Sequence, residues 1–127
     1  MADRNAFIEV MNAGYTFKGD SIILGAPILD KEPITGSFIK APLRMFNRHG
    51  LIAGATGTGK TKTMQGIAES LSQKGVSCLL MDVKGDLSGL AAAASPNPKI
   101  DERYQKLGLT WKSQKFPVEF LSLSDEK

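Results

Sequence analysis

The sequence predicts an α/β fold with parallel strands, preceded by a short β-rich N-terminal segment, and three observations support this prediction. Near residue 48, short apolar clusters between glycines and prolines give way to apolar runs that alternate with helical periodicity. A glycine-rich loop separates one such run from a helix-like stretch. The length of 127 residues suffices for one hydrophobic core but not for two full domains. We therefore expect a boundary between residues 1–47 and residues 48–127.

The N-terminal segment is predicted to be β-rich because its apolar residues occur in short clusters. Residues 21–24 and 37–39 are two such clusters, each starting with a serine, and they are separated by turn-forming glycines and prolines. Residues 6–11 have apolar side chains at helical spacing, which favours one helical turn there.

A strand, a helix and a second strand are predicted around the glycine-rich loop. Residues 49–53 and 76–81 are apolar runs of strand length. Between them, residues 60–74 place apolar side chains on one helical face, before Gly75 supplies a helix stop: Met64, Ile67, Ala68 and Leu71. A unit of this kind is expected to form a right-handed crossover between parallel strands.

The remaining segments extend the predicted order to β-α-β-α-α-β. Asp86 is a candidate N-cap for a short helix through the alanines at 91–94. Residues 100–107 have helical spacing and stop at Gly108, and residues 116–123 are a third strand candidate.

The charge distribution excludes a basic tail, and the cysteine count excludes an internal disulfide. Residues 1–50, 51–98 and 99–127 each contain one more basic than acidic residue, so the net charge of +3 forms no basic tail. Composition therefore gives no support for nucleic-acid binding by a tail. The single cysteine, Cys78, excludes an internal disulfide and is expected to be buried in its apolar run.

Neither a signal peptide nor a membrane span is predicted. The N-terminus lacks the apolar stretch of a secretory signal, and the apolar run at 22–29 is interrupted by Gly25 and Pro27. We therefore expect a cytoplasmic protein with no membrane partner.

Residues 54–61, GATGTGKT, match the phosphate-loop pattern G-x-x-x-x-G-K-[ST]. Glycines allow successive backbone N–H groups to converge on phosphate oxygens, and the following helix adds its free N–H groups. Lys60 supplies a positive charge to the phosphates, and the Thr61 hydroxyl is a ligand for Mg²⁺. The loop is predicted to bind a nucleoside triphosphate through Gly54, Ala55, Thr56, Gly57, Thr58, Gly59, Lys60, Thr61 and Lys62.

Some of these threonines have a second interpretation. Thr56 and Thr58 are equally compatible with solvated loop positions. Thr63, one turn into the helix, is compatible with a hydrogen bond back to the helix backbone.

Asp82 follows an apolar run, as a Mg²⁺-binding Walker B aspartate does, and it also begins a D-x-x-G pattern. However, it lies at the end of the first predicted strand after the loop, where neither motif normally occurs. Two interpretations stay open. Asp82 either contacts Mg²⁺ or its water shell, or it caps a turn or pairs with Lys84. The guanine-binding N-K-x-D pattern does not occur in the sequence.

Two blocks of sequence together resemble the bacterial HerA-like ATPases of the HerA/FtsK superfamily. They are NRHGLIAGATGTGKT at residues 47–61 and LLMDVKGDLSG at residues 79–89. The resemblance implies a RecA-like P-loop core, ATP hydrolysis with Mg²⁺, homo-hexameric rings and movement of double-stranded DNA. It also implies that Lys60 and Thr61 take the phosphate and metal roles. By the same resemblance, Asp82 is not the Walker B aspartate.

The acidic pair that such ATPases carry on a later strand has no counterpart here, because Ser124 separates the last predicted strand from Asp125 and Glu126. We therefore expect the chain to be the leading part of a longer ATPase, with the catalytic residues beyond Lys127. Two alternatives remain. One is a small-molecule kinase, although the four arginines are scattered, and the other is a non-catalytic nucleotide-binding module.

Overall fold

The computed structural model describes residues 3–122. Its helices and strands, in chain order, are α1 (Arg4–Gly14), β1 (Ser21–Gly25), β2 (Ile28–Leu29), β3 (Glu32–Pro33), β4 (Ile39–Pro42), α2 (Lys60–Gln73) and α3 (Pro98–Lys106). Two short 3₁₀ helices, Leu43–Met45 and Ser88–Ala91, follow β4 and precede α3.

The strands form two separate antiparallel sheets of two strands each. β1 pairs with β4, and the register shifts between Ile23 and Gly25. β2 pairs with β3 across a turn in which Asp30 and Lys31 have φ of 50° and 68°. Positive φ at both central residues is typical of the type I′ turn, whose twist matches that of a hairpin. The strand predicted at residues 21–24 and the helical turn predicted at residues 6–11 are confirmed as parts of β1 and α1.

The predicted parallel, RecA-like sheet is wrong. Residues 49–53, 76–81 and 116–122 form no strand, and every strand pair among the described residues is antiparallel. A parallel strand is normally covered on both faces by other elements. Here the side chains of Leu51 and Leu79 are 89% and 83% exposed, so these apolar runs lack the neighbours that a ladder requires. Residue 123, the end of the third predicted strand, lies outside the described residues.

Cys78 also differs from the prediction, because it is exposed in this unpaired segment. Likewise, the helix predicted through residues 91–94 is replaced by the 3₁₀ helix at Ser88–Ala91. Leu87 occupies the N-cap position of that helix and gives no side-chain cap, so Asp86 does not have its predicted capping role.

α2 is the central helix of the fold and packs against β1. Ala68 and Leu71 of its predicted apolar face are buried. At its C-terminal end, the Lys74 Nζ and Asp20 Oδ1 atoms are 3.1 Å apart. The buried apolar side chains of the described residues are few: Ile22, Ile34, Ala68, Leu71, Leu87 and Leu90.

Both helix stops predicted from glycines are confirmed. Gly75 has φ of 76°, its N–H donates to Ser72 O, and the Val76 N–H donates to Leu71 O. These two bonds define a Schellman motif, which satisfies carbonyls that the helix leaves free. Gly108 ends α3 with the same pair of bonds.

One glycine within α2 and the glycine that ends it provide a matched test of this structure. Gly66 is an exposed residue in the middle of the helix with open space around its Cα, so Gly66→Ala should stabilise the protein by about 0.5–1 kcal/mol. Gly75→Ala places a side chain in the left-handed region and should destabilise it by about 1 kcal/mol. Urea unfolding followed by circular dichroism measures both. A change of the same sign in the two variants would contradict the assigned helix end.

Candidate functional site

The glycine loop, which we define as residues 54–61, runs directly into the first turn of α2. Gly57 and Gly59 have φ of 80° and 96°, and Gly59 is the N-cap of the helix. A side chain at either position would be strained, because L-residues rarely adopt this left-handed region. The backbone path of the loop therefore depends on these two glycines.

Gly54 is required for a different reason, which is the close approach of Thr58. A Cβ atom on Gly54 would lie 2.5 Å from Thr58 Oγ1. The Thr58 hydroxyl donates to the Ala55 carbonyl at 2.8 Å, and the Thr58 N–H donates to the same oxygen at 3.3 Å. Thr58 thus closes the loop, and its packing leaves room only for a hydrogen at Gly54.

The Lys60 ammonium lies against the loop that precedes it. Its Nζ atom donates to the carbonyls of Gly54 and Ala55, both at 2.8 Å. An ammonium has three N–H donors, so these two bonds leave one for a ligand. A full positive charge is therefore held at the glycine loop by local contacts and not drawn away by a distant carboxylate.

The first turn of α2 adds backbone donors to this charge. The amides of Lys60, Thr61 and Lys62 belong to the helix start, where no carbonyl lies one turn earlier within the helix. Among the described residues, no acceptor for these three amides is recorded. The first helical bond runs from the Thr63 N–H to Gly59 O at 2.9 Å, and the Thr63 hydroxyl bonds the same carbonyl, as one interpretation predicted. Free N–H groups and the positive end of a helix dipole favour an anion.

Asp82 caps a turn, which is one of its two predicted interpretations. One carboxylate oxygen accepts the N–H groups of Lys84 and Gly85 at 3.1 and 2.9 Å, and the other accepts that of Leu87 at 2.8 Å. The N–H of Leu87, followed by those of Lys84 and Gly85, lowers the pKa of the Asp82 carboxyl. Its contact with Mg²⁺ stays a prediction.

Asp86 and Gln65 are site residues that the sequence analysis missed. The Thr61 hydroxyl donates to Asp86 Oδ2 at 3.4 Å, and Gln65 Nε2 donates to the Asp86 carbonyl at 2.9 Å. Gln65 is only 7% exposed and accepts a bond from Lys62 Nζ at 2.8 Å. Helical spacing could have indicated that Gln65 is buried, because it lies three residues before Ala68 on the buried face of α2.

Within residues 3–122, no group of three or more His, Cys, Asp or Glu side chains could hold a metal ion. A divalent cation at this site would therefore need phosphate oxygens and water in its coordination shell, as Mg²⁺ commonly has beside nucleotides. No helix in the described part of the chain is long and apolar enough to cross a bilayer.

The glycine loop, the Lys60 ammonium and the first turn of α2 place a positive charge and free backbone N–H groups at one end of the helix. A family model described as "Helicase HerA-like C-terminal" matches residues 28–127. Because this match covers most of the sequence, the chain belongs to the HerA-like helicase C-terminal family, and the resemblance noted above is confirmed. None of the curated proteins and none of the solved structures matched the chain. The boundary after residue 47 stays a prediction.

The turn that Asp82 caps should depend on pH. Because the pKa of Asp82 is lowered in the folded protein, the stability it contributes is present above the ordinary aspartate pKa and is lost as pH falls through the folded value. We expect the amide protons of Gly85 and Leu87 to shift, and their protection from exchange relative to an unprotected amide at the same pH to fall, as pH falls from about 5 to about 2. An amide NMR titration measures this change.

In Asp82→Asn, which keeps one of the two acceptor oxygens and does not titrate, the pH dependence of these two amides should be much smaller. Asp101→Asn, a neutralised aspartate in α3, should retain it. An unchanged titration in Asp82→Asn would contradict the assigned cap.

Proposed function

We propose that the glycine loop binds the triphosphate of ATP together with Mg²⁺, and that the chain is the nucleotide-binding part of a HerA-like ATPase motor that acts on DNA. The proposal rests mainly on one observation at the N-terminal end of α2. There, the Lys60 ammonium is held by local contacts and lies in the same helical turn as free backbone N–H groups. Family membership supports an ATPase of the helicase type.

The Lys60 contacts suit a polyphosphate ligand. Its two present acceptors are neutral carbonyls, whereas phosphate oxygens are anionic. Hydrogen bonds between charged partners are roughly twice as strong as bonds to neutral groups. An arriving triphosphate therefore competes well for the ammonium, which is already beside the loop and needs no long movement.

Thr61 suits the metal that accompanies a nucleotide. Thr61 directly follows Lys60, and its hydroxyl belongs to the same helical turn as the free amides. Mg²⁺ in nucleotide sites takes few protein ligands and completes its shell with phosphate oxygens and water. A single hydroxyl at this position is consistent with such a shell.

DNA and a homo-hexameric ring are the partners that we propose for the motor, and the support for them is membership of a helicase family. The even charge distribution offers no basic tail. Contact with the phosphate backbone of DNA would therefore use cations gathered from separate segments of the chain or from several subunits.

A second candidate function, a nucleotide-binding module without turnover, is favoured by the carboxylates near the site. Hydrolysis needs a residue that positions the attacking water. Asp82 is bound to three backbone N–H groups, and Asp86 is bound to Thr61. Within residues 3–122, no glutamate is hydrogen-bonded to the glycine loop, so we expect this chain alone to bind ATP without hydrolysing it.

Lys60→Ala tests the site directly. Removing the ammonium should lower the affinity for a fluorescent ATP analogue about tenfold or more, because a charged hydrogen bond contributes about 1.5–3 kcal/mol. Lys74→Ala removes the same charge from the opposite end of α2, roughly 20 Å away, and should change affinity less than about twofold. Equal binding by Lys60→Ala and the unmutated chain would refute the proposed site.

A phosphate-release assay with and without duplex DNA, run on the same proteins, tests the module without turnover. Turnover by the unmutated chain that is absent from Lys60→Ala would contradict that module, whereas both candidate functions expect no turnover from this chain alone.

Gly54→Ala tests the shape of the loop and not its charge. The added methyl would collide with the Thr58 hydroxyl, so this side chain must rotate and lose its bond to the Ala55 carbonyl, or the loop must shift, and nucleotide affinity should fall. Gly50→Ala is the matched control, because Gly50 has open space around it and no positive φ, and its affinity should be unchanged. Fluorescence titration with the same ATP analogue measures both. Loss of affinity in both variants would show that the effect is not specific to the contact with Thr58.

A further inference from the structure

We propose that Asp86 is a positioning residue that orients the Thr61 hydroxyl toward a divalent cation carried by the nucleotide. This inference rests on the nucleotide site proposed above. It adds that the Asp86 carboxylate makes nucleotide binding depend on the metal.

The contact between Thr61 and Asp86 favours one direction for the hydroxyl hydrogen. A hydroxyl has one hydrogen and two lone pairs, so donating the hydrogen to Asp86 Oδ2 leaves the lone pairs for a metal. The oxygen–oxygen distance of 3.4 Å exceeds the usual range for this type of bond, which makes it weak in this structure. A cation on the Thr61 oxygen polarises the hydroxyl and makes it a stronger donor, so metal binding and this bond should reinforce each other.

The backbone of Asp86 is held by the same helix that presents Thr61. Gln65 follows Thr61 by four residues, which places both side chains on one face of α2. Its buried amide donates to the Asp86 carbonyl at 2.9 Å. The next residue, Leu87, is 6% exposed and anchors the chain in the core. Asp86 therefore occupies a position fixed by its neighbours in space, although its own side chain is exposed.

Asp82 is the competing carboxylate, and its contacts argue against the same role. Both of its oxygens accept backbone N–H groups, three in all. No backbone N–H of the described residues is recorded as a donor to the carboxylate of Asp86. The Asp86 side chain faces the Asp82 carboxylate and is exposed to solvent, so a metal-bound water can reach it, and Mg²⁺ usually retains several waters.

The experiment compares the affinity for a fluorescent ATP analogue in Mg²⁺ with that in EDTA, because the ratio of the two isolates the contribution of the metal. In Asp86→Asn we expect this metal-dependent gain to fall about tenfold, with affinity in EDTA changed less than about twofold. Asp86→Glu keeps the charge and should recover part of the gain. Gln65→Met, which removes the bond to the Asp86 carbonyl, should lower the gain by less.

Two variants serve as comparisons. Asp101→Asn removes a carboxylate from α3 and should leave both affinities unchanged. Asp82→Asn keeps only one of the two acceptor oxygens of the turn, so its metal-dependent gain should fall, but by less than that of Asp86→Asn. Thermal unfolding of every variant shows whether the fold is retained, and a purely structural defect would lower affinity in Mg²⁺ and in EDTA alike.

The outcomes separate this inference from the proposed function. If Asp86→Asn keeps the full metal-dependent gain, Asp86 has no such role, whether or not Asp82→Asn loses the gain. Lys60-dependent binding would still support the nucleotide site in that case. If the unmutated chain binds no nucleotide in either buffer, both proposals are refuted.

Discussion

The carbonyl of Ala55 accepts three hydrogen bonds, and the candidate site is organised around them. The Thr58 hydroxyl and N–H close the glycine loop on this oxygen, and the Lys60 ammonium bonds it from the first turn of α2. A carbonyl with two lone pairs can serve several donors in this way when they approach from different sides. Because Thr58 and Lys60 share this acceptor, a change in the closure of the loop should also change the position of the Lys60 ammonium.

The geometry of the site does not require a parallel sheet. α2 is held by Ala68 and Leu71, which pack in the small core, and by a Schellman motif at Gly75. The glycine loop is a continuation of this helix, and Gln65 attaches the turn that contains Asp86 to it. Contacts among residues 54–91 therefore bring together the side chains proposed to bind the nucleotide, and β1 anchors α2, although the segments at 49–53 and 76–81 are unpaired.

The sequence predicted those features whose causes are local. Both helix ends follow from Gly75 and Gly108, because a left-handed residue after the last turn is sufficient to stop a helix. The loop follows from its glycines. The parallel strands were wrong because strand formation depends on a partner that no short window contains, and apolar runs of strand length also occur without one. The Asp86 contact joins residues 25 apart in sequence, so spacing alone could not reveal it.

Asp82 and Asp86 follow the same apolar run, and only the structure shows that their side chains make different contacts. Asp82 accepts the N–H of Leu87, the residue directly after Asp86, so its cap helps to set where the second carboxylate lies. Removing the Asp82 side chain would therefore disturb Asp86 indirectly, and the two effects would not add. Replacing the carboxylate by an amide reduces this problem but does not remove it, because one of the two acceptor oxygens becomes an NH₂ group that faces a backbone N–H. The relative size of the loss in Asp82→Asn and in Asp86→Asn therefore shows which aspartate acts on the metal.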